Sequence, residues 1–259
     1  MFRSRRTRNR RLALDTEFPA EWRTRLAVRW PTWTTLTSDE RSRLEDLIRM
    51  FIADTRWEAA RGFALTDEMR LVIAAQACLL VLELDIDLYR HVDSIIVHPR
   101  TMTMRGERSL GSGLVTDAPH AVAGQAHHRA GPVLLSWSTA AFEARHTNHG
   151  SNVVYHEFAH KIDMIGGVVD GTPPIRDAAQ LRRWIDVCTA EFDELRHGRP
   201  SVLRDYAATD AGEFFAVATE QFFTQPVPLR EANAALYDVL RTYYRQDPAH
   251  RQDPSGRLS

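Results

Sequence analysis

Apolar residues recur every three to four positions through much of this chain, the spacing of helices that turn one face to a core. Leu44, Leu47, Ile48 and Phe51 form such a stripe behind Thr37-Ser-Asp-Glu40, a capping box that opens a helix running toward Trp57. Thr66-Asp67-Glu68 opens a second helix through Leu71, Ile73, Ala74, Cys78, Leu79 and Val81. The apolar run from Leu71 to Leu82, interrupted only by Gln76, falls short of the ~20 residues that cross a bilayer. It reads as a core helix. Further helices are predicted around Ala178–His197, Glu213–Thr224 and Glu231–Arg245.

Two segments break the helical period. Ser94-Ile-Ile-Val-His98 is a strand that stops at Pro99, and Gly131-Pro-Val-Leu-Leu-Ser-Trp137 is a second. The second suits a sheet edge on which an extended peptide pairs its backbone, and an ordinary core strand fits the same pattern. Residues 100–130 between them carry Gly, Ser, His and Arg without a period. They read as a loop with room for one short hairpin, and a loop of that length is more often functional than idle.

One helix carries chemistry. Val154, Phe158, Ile162 and Ile165 repeat at helical spacing, with Val153 on a flank, and His156, His160 and Asp163 lie on the opposite face. The string His156-Glu157-Phe158-Ala159-His160 is an HExxH pattern. Imidazoles four residues apart stand one turn above each other and can bind one Zn2+ from the same side. Glu157, rotated by about 100° from His156, reaches a water at that metal without being a ligand. This is the geometry of a metal-activated hydrolase. Chance supplies HExxH in a chain of this composition roughly 2–3% of the time. A solvated face bearing two histidines is the alternative, but so apolar a helix packs into a core, where histidines need partners. Gly166-Gly167 and Pro173-Pro174 close the region.

Catalytic zinc takes three protein ligands and leaves a position for water. A metzincin would place a third His at position 166, which is Gly, and a Gly at 163, which is Asp. A downstream side chain must therefore complete the site. Glu213 begins a helix made apolar by Phe214, Phe215, Val217, Phe222 and Phe223, where a carboxylate needs a cation. Asp210-Ala-Gly-Glu213 also fits a capping box, in which Glu213 would bond only backbone. The residues leave that contest even. Glu220, two turns on along the same face, is a second candidate, and His197, near a helix end, a weaker third.

Composition narrows the partners. The chain has 259 residues and a formal net charge of -1, so no global field selects nucleic acid or membrane. Arg3, Arg5, Arg6, Arg8, Arg10 and Arg11 make a local exception, a basic segment without the apolar stretch of a signal peptide. It reads as a solvated tail, with a contact arm for an acidic partner as the other reading. Cys78 and Cys188, in apolar helical patterns and without a CxxC motif, suit a reducing compartment, so a cytoplasmic protein is expected. The expected organisation is a flexible basic arm over 1–17, a single domain over 18–248 and a flexible tail over 249–259.

The strings HEFAHKID, DGTPP at 170–174, YAATDAGEFFAV and QDP at 246–248 together resemble the Mlc titration factor A family. The likeness extends to Phe18-Pro19 and Trp22, to IAAQACLLVL at 73–82 and to GPVLLSW, covering residues 18 to 248. The HEF-x-H and Tyr…EFFA pair is also similar to the catalytic domain of anthrax lethal factor. The resemblance implies an α+β, predominantly helical, zincin-like metalloprotease fold with a small sheet beside the HExxH helix. It implies one Zn2+ on His156, His160 and Glu213, Glu157 as general base, and Tyr206 beside the metal as a donor to the oxyanion. Asp210 departs from the family's frequent Asn, a change of local charge outside the ligand set. Asp163 reads equally as a partner of a ligand imidazole or as a surface or helix-end carboxylate. The implied activity is aminopeptidase-like hydrolysis of short peptides, which needs an acidic group for the substrate amine, with Glu220 or Asp163 as candidates. The alternative is a binding protein that sequesters a transcriptional repressor of glucose uptake. Neither reading calls for direct nucleic-acid or membrane contact.

Overall fold

The computed structural model describes residues 2–60, 62–100 and 131–252. The expected 100–130 loop, beyond its first residue, and the tail from 253 onward lie outside the described residues.

The first half is built on α1 (Phe2–Leu14), α2 (Ala20–Arg29), α3 (Thr32–Thr35), α4 (Ser38–Asp54) and α5 (Asp67–Leu80). The capping box at Thr37 forms with both of its hydrogen bonds, and Leu44, Leu47, Ile48 and Phe51 are the buried face of α4. Where the stripe was expected to continue toward Trp57, the chain instead leaves the helix at Asp54 and enters β1 (Arg56–Ala59). Thr55 and Trp57 favour extended backbone, and β1 finds a partner strand that local pattern does not announce.

The basic segment expected as a flexible arm is a helix. Arg10 Nε meets Asp54 at 2.6 Å and its guanidinium meets Asp87 at 2.8 Å, while Arg6 reaches the same Asp54 and the carbonyl of Arg90. The correction has a local cause. Arg6 and Arg10 are four apart on one helix face, and that face meets acidic residues distant in sequence.

Strand β2 (Ser94–His98) pairs in parallel with β1 and with β3 (Val133–Ser136), in the order β1-β2-β3. Among the described residues β3 is an edge. Ser136 caps α6 (Trp137–Arg145), a helix the sequence pattern did not announce. Asn152 then caps α7 (Val153–Asp163), the helix of the HExxH string. Its apolar face is enclosed from one side. The Phe158 ring lies 5.0 Å from Tyr89 and 5.6 Å from Phe51, and the Tyr155 hydroxyl accepts from Trp30 Nε1 at 3.3 Å. Complete burial of Phe158 is worth about 2–3 kcal/mol, and it locks α7 onto α4 and the turn at Ile86–Tyr89.

The second half wraps the other side of α7. Helix α8 (Ala178–Arg196) leads through a turn at Asp205–Ala208 to α9 (Ala211–Thr224), which packs along α7. Every residue from Gly212 to Thr224 is buried. The helix expected over 231–245 is split at Asn233, whose φ of -145° is extended and whose side chain caps a new start at Leu236 N. The pieces are α10 (Pro226–Ala232) and α11 (Ala234–Tyr244). The QDP segment then fastens the end of the domain. Gln246 donates to Leu79 O at the end of α5, and Asp247 accepts from Tyr237. The following residues, expected in a flexible tail, begin with α12 (Pro248–Gln252), where Ala249 is buried and Arg251 pairs with Glu40. The architecture is therefore predominantly helical α+β, with a small sheet whose third strand touches the HExxH helix. No described helix is long and apolar enough to cross a membrane.

Candidate metal centre

Helices α7 and α9 bring three side chains together. His156 and His160 project from α7 one turn apart, and Glu213 comes from the first turn of α9. All three are buried and form the metal-competent cluster of the described residues. His156 Nε2 lies 3.2 Å from His160 Nε2, and Glu213 Oε2 lies 3.1 Å from the first and 3.4 Å from the second. A tetrahedral ion with bonds of 2.0–2.1 Å separates its ligand atoms by about 3.3 Å. The three measured separations fit that figure.

Protonation makes the same point. His156 Nδ1 lies 2.8 Å from Glu220 Oε1 and donates to it. A neutral imidazole with its proton there presents a lone pair at Nε2. That lone pair faces a second imidazole nitrogen and a carboxylate oxygen that finds no hydrogen-bond donor. Three electron-rich atoms so close need a cation or a proton among them. Without a metal, His156 supplies the proton. Burial opposes this, but the carboxylates of Glu213 and Glu220 beside the ring outweigh it and raise its pKa to about 10. For Glu213 burial pushes upward, and the two imidazoles outweigh it and hold the carboxyl well below the usual carboxylate range. The donor set, two imidazoles and a carboxylate, suits a divalent ion of zinc type.

The contest over Glu213 divides between backbone and side chain. Its amide does donate to the Asp210 side chain at 2.9 Å, as in a helix cap. Its carboxylate turns to the imidazoles instead of closing a capping box. Glu220, the second candidate ligand, stands behind His156. Its Oε1 takes His156 Nδ1 and Arg204, and its Oε2 accepts from Asn152 N at 2.6 Å. It is an orienting carboxylate, placed by the two-turn spacing from Glu213. His197 is exposed at the end of α8, its Nδ1 2.6 Å from Asp193 O, and plays no part.

Asp163 is fully buried, so the surface reading fails. Its Oδ2 accepts from Gly171 N at 2.9 Å, and burial raises its pKa to about 6 against that bond. Gly171 O in turn accepts from Trp184 Nε1 at 3.2 Å. Gly171 has φ of 74°, and a Cβ there would sit 2.3 Å from Ala211 O. The DGTPP segment thus bolts the end of α7 to the start of α9, fixing the spacing of the two helices that carry the cluster. Neither Glu220 nor Asp163 is open to a substrate's amine, which corrects that expectation.

Around the cluster, the Tyr206 ring is centred 6.1 Å from that of His156, with the negative charge of Glu213 close to its phenol. Burial and that negative charge push the phenol's pKa up, keeping it a hydrogen-bond donor. Glu157 is half-buried on α7 between the imidazoles in sequence. Lys161, buried one turn beyond Glu157, donates to Gly131 O at 3.1 Å and ties the approach to β3 to the HExxH helix. Sequence reasoning missed Lys161 and the Glu143 carboxylate that receives Val153 N at 2.6 Å. Neither has a spacing signal, because each works through a contact formed in the fold.

The family described as glucose-regulated metallo-peptidase M90 matches residues 3–245. Among relatives, the Synechocystis protein named Uncharacterized protein slr2042 is 37% identical over 234 residues, covering 89% of this chain and 85% of that one. Mlc titration factor A of Salmonella gallinarum is 33% identical over 239 residues, 89% of this chain and 87% of its own. The protein of that name in Edwardsiella ictaluri is 33% identical over 238 residues, 88% and 89% of the two chains.

Proposed function

Because the chain belongs to the glucose-regulated metallo-peptidase M90 family, we propose that it is a zinc-dependent peptidase of aminopeptidase type, with one Zn2+ held by His156, His160 and Glu213. The observation that carries this is the convergence of His156 Nε2, His160 Nε2 and Glu213 Oε2, three buried side chains, at 3.1 to 3.4 Å. A bound zinc ion supplies Lewis-acid activation of a water and of the scissile carbonyl.

The residues of the chain do the rest. Glu157 takes a proton from the attacking water and returns it to the leaving amine. Tyr206, protonated at neutral pH, donates a hydrogen bond where negative charge develops on the carbonyl oxygen. Glu220 holds the His156 ring in the tautomer that offers Nε2. An extended peptide pairs with the edge of β3, which places its carbonyls beside α7. The two buried, unpaired cysteines support a reducing, cytoplasmic setting.

The test is hydrolysis of a panel of free and amino-blocked peptides by protein purified without added metal. Activity should vanish with a chelator, return with zinc and prefer free amines. Chelator-resistant hydrolysis contradicts the metal reading, and equal cleavage of blocked peptides contradicts the aminopeptidase reading alone. The name of the relatives, Mlc titration factor A, favours a second reading, a protein that titrates a repressor. Retention of a cellular phenotype in Glu157→Gln would favour titration, and its loss proteolysis.

A further inference from the structure

We infer that Gln76 and Asn152 are positioning residues that set the orientation of His156, although neither is a ligand. The inference rests on the metal reading above. Helix α5 is buried from Leu71 to Leu80, and Gln76 is the one polar side chain in that span. A leucine there would serve packing, and a primary amide in such a place is costly unless all its groups are bonded.

The bonds form a directed chain. Gln76 Nε2 donates to Val72 O at 3.1 Å, one turn back in its own helix. That fixes the amide, so Oε1 faces α7 and accepts from Asn152 Nδ2 at 2.8 Å. With Nδ2 engaged, Asn152 Oδ1 is left to accept from Tyr155 N at 3.0 Å and cap α7. The backbone of Asn152 works on His156 twice. Its N–H donates to Glu220 Oε2 at 2.6 Å, while Glu220 Oε1 receives His156 Nδ1 at 2.8 Å. Its carbonyl accepts from His156 N at 2.9 Å. Gln76, Asn152 and Glu220 are 0%, 2% and 1% exposed, so water does not replace any link. Rotation of the Asn152 amide would set Nδ2 against Tyr155 N–H, two donors facing each other. Gln76 forbids that rotamer and thereby holds the first turn of the HExxH helix and the carboxylate behind His156.

The experiment measures zinc affinity by competition with a chelator, with the visible spectrum of the cobalt-substituted protein as a second reading. Gln76→Leu should weaken zinc binding about tenfold, the low end for partners outside the ligand set, and alter the cobalt bands. Asn152→Ser keeps a capping oxygen but loses the donor to Gln76. It should reproduce the loss, and adding Gln76→Leu to it should cost nothing more. Wild-type affinity in Gln76→Leu, or a further tenfold loss in the double variant, overturns the inference. If Gln76→Leu does not fold, Asn152→Ser decides alone: about tenfold weaker zinc sustains the inference, and unchanged affinity overturns it. Wild-type protein that binds no zinc overturns the metal reading itself, and this inference with it.

Discussion

Gly171→Ala places a methyl group where the structure leaves none to spare. The residue has φ of 74°, and the added Cβ would meet Ala211 O at 2.3 Å and Ala211 C at 2.8 Å. The left-handed backbone costs an alanine about 1–2 kcal/mol. Relief of the overlap needs a shift of the DGTPP segment or of the first turn of α9, about 1–3 kcal/mol. Either shift stretches the bonds from Gly171 N to Asp163 and from Trp184 to Gly171 O, about 1 kcal/mol more. The total is about 3–6 kcal/mol, a fall in Tm of roughly 10–15 °C for a chain of this size. Gly167 is the control. It too is left-handed, at φ of 86°, but a Cβ there meets nothing within 4 Å. Gly167→Ala should lose only the backbone share. Thermal melting of both variants by circular dichroism is the assay. Equal melting points would refute the argument that the segment clamps α7 to α9.

Glu157→Gln should retain zinc at wild-type stoichiometry while turnover falls by about 10²–10⁴, and full activity removes Glu157 as the base. Tyr206→Phe should lower turnover by about 10², with zinc retained; an unchanged kcat removes the oxyanion role. Zinc affinity should rise with pH. The metal-free pKa of His156 lies near 10, above the ordinary histidine value of 6.5. Its bound proton therefore stabilises the metal-free protein fully below pH 6.5, and that contribution is lost as pH rises through 10. Zinc must displace this proton, so chelator competition between pH 7 and 9 should show about a tenfold gain per unit. A flat profile contradicts the shift.

Sequence pattern made the centre legible in proportion to how local each signal was. His156, Glu157 and His160 share one helix, and their spacing is a property of that helix alone. Glu213 was half legible. The Asp210 cap and the contact with the two imidazoles use different groups of the same residue, its amide and its carboxylate, so the cap does not compete with the proposed ligand role. Glu220 had the right helix face but meets His156 at Nδ1, because the two-turn spacing says which side it points to and not how deep the ring stands between. The helix at Phe2–Leu14 was hidden for another reason. Its arginines look like a solvated tail until Asp54 and Asp87 are known to lie against them. Strand β1 and the break at Asn233 likewise depend on partners far along the chain.

The proposed mechanism turns on one zinc ion held among His156, His160 and Glu213. Crystals of protein purified without added metal, measured on either side of the zinc absorption edge, test it directly. A single anomalous peak is expected about 2 Å from His156 Nε2, His160 Nε2 and Glu213 Oε2. A peak bonded to Glu220 in place of Glu213, or no peak in protein that hydrolyses peptides, would contradict it.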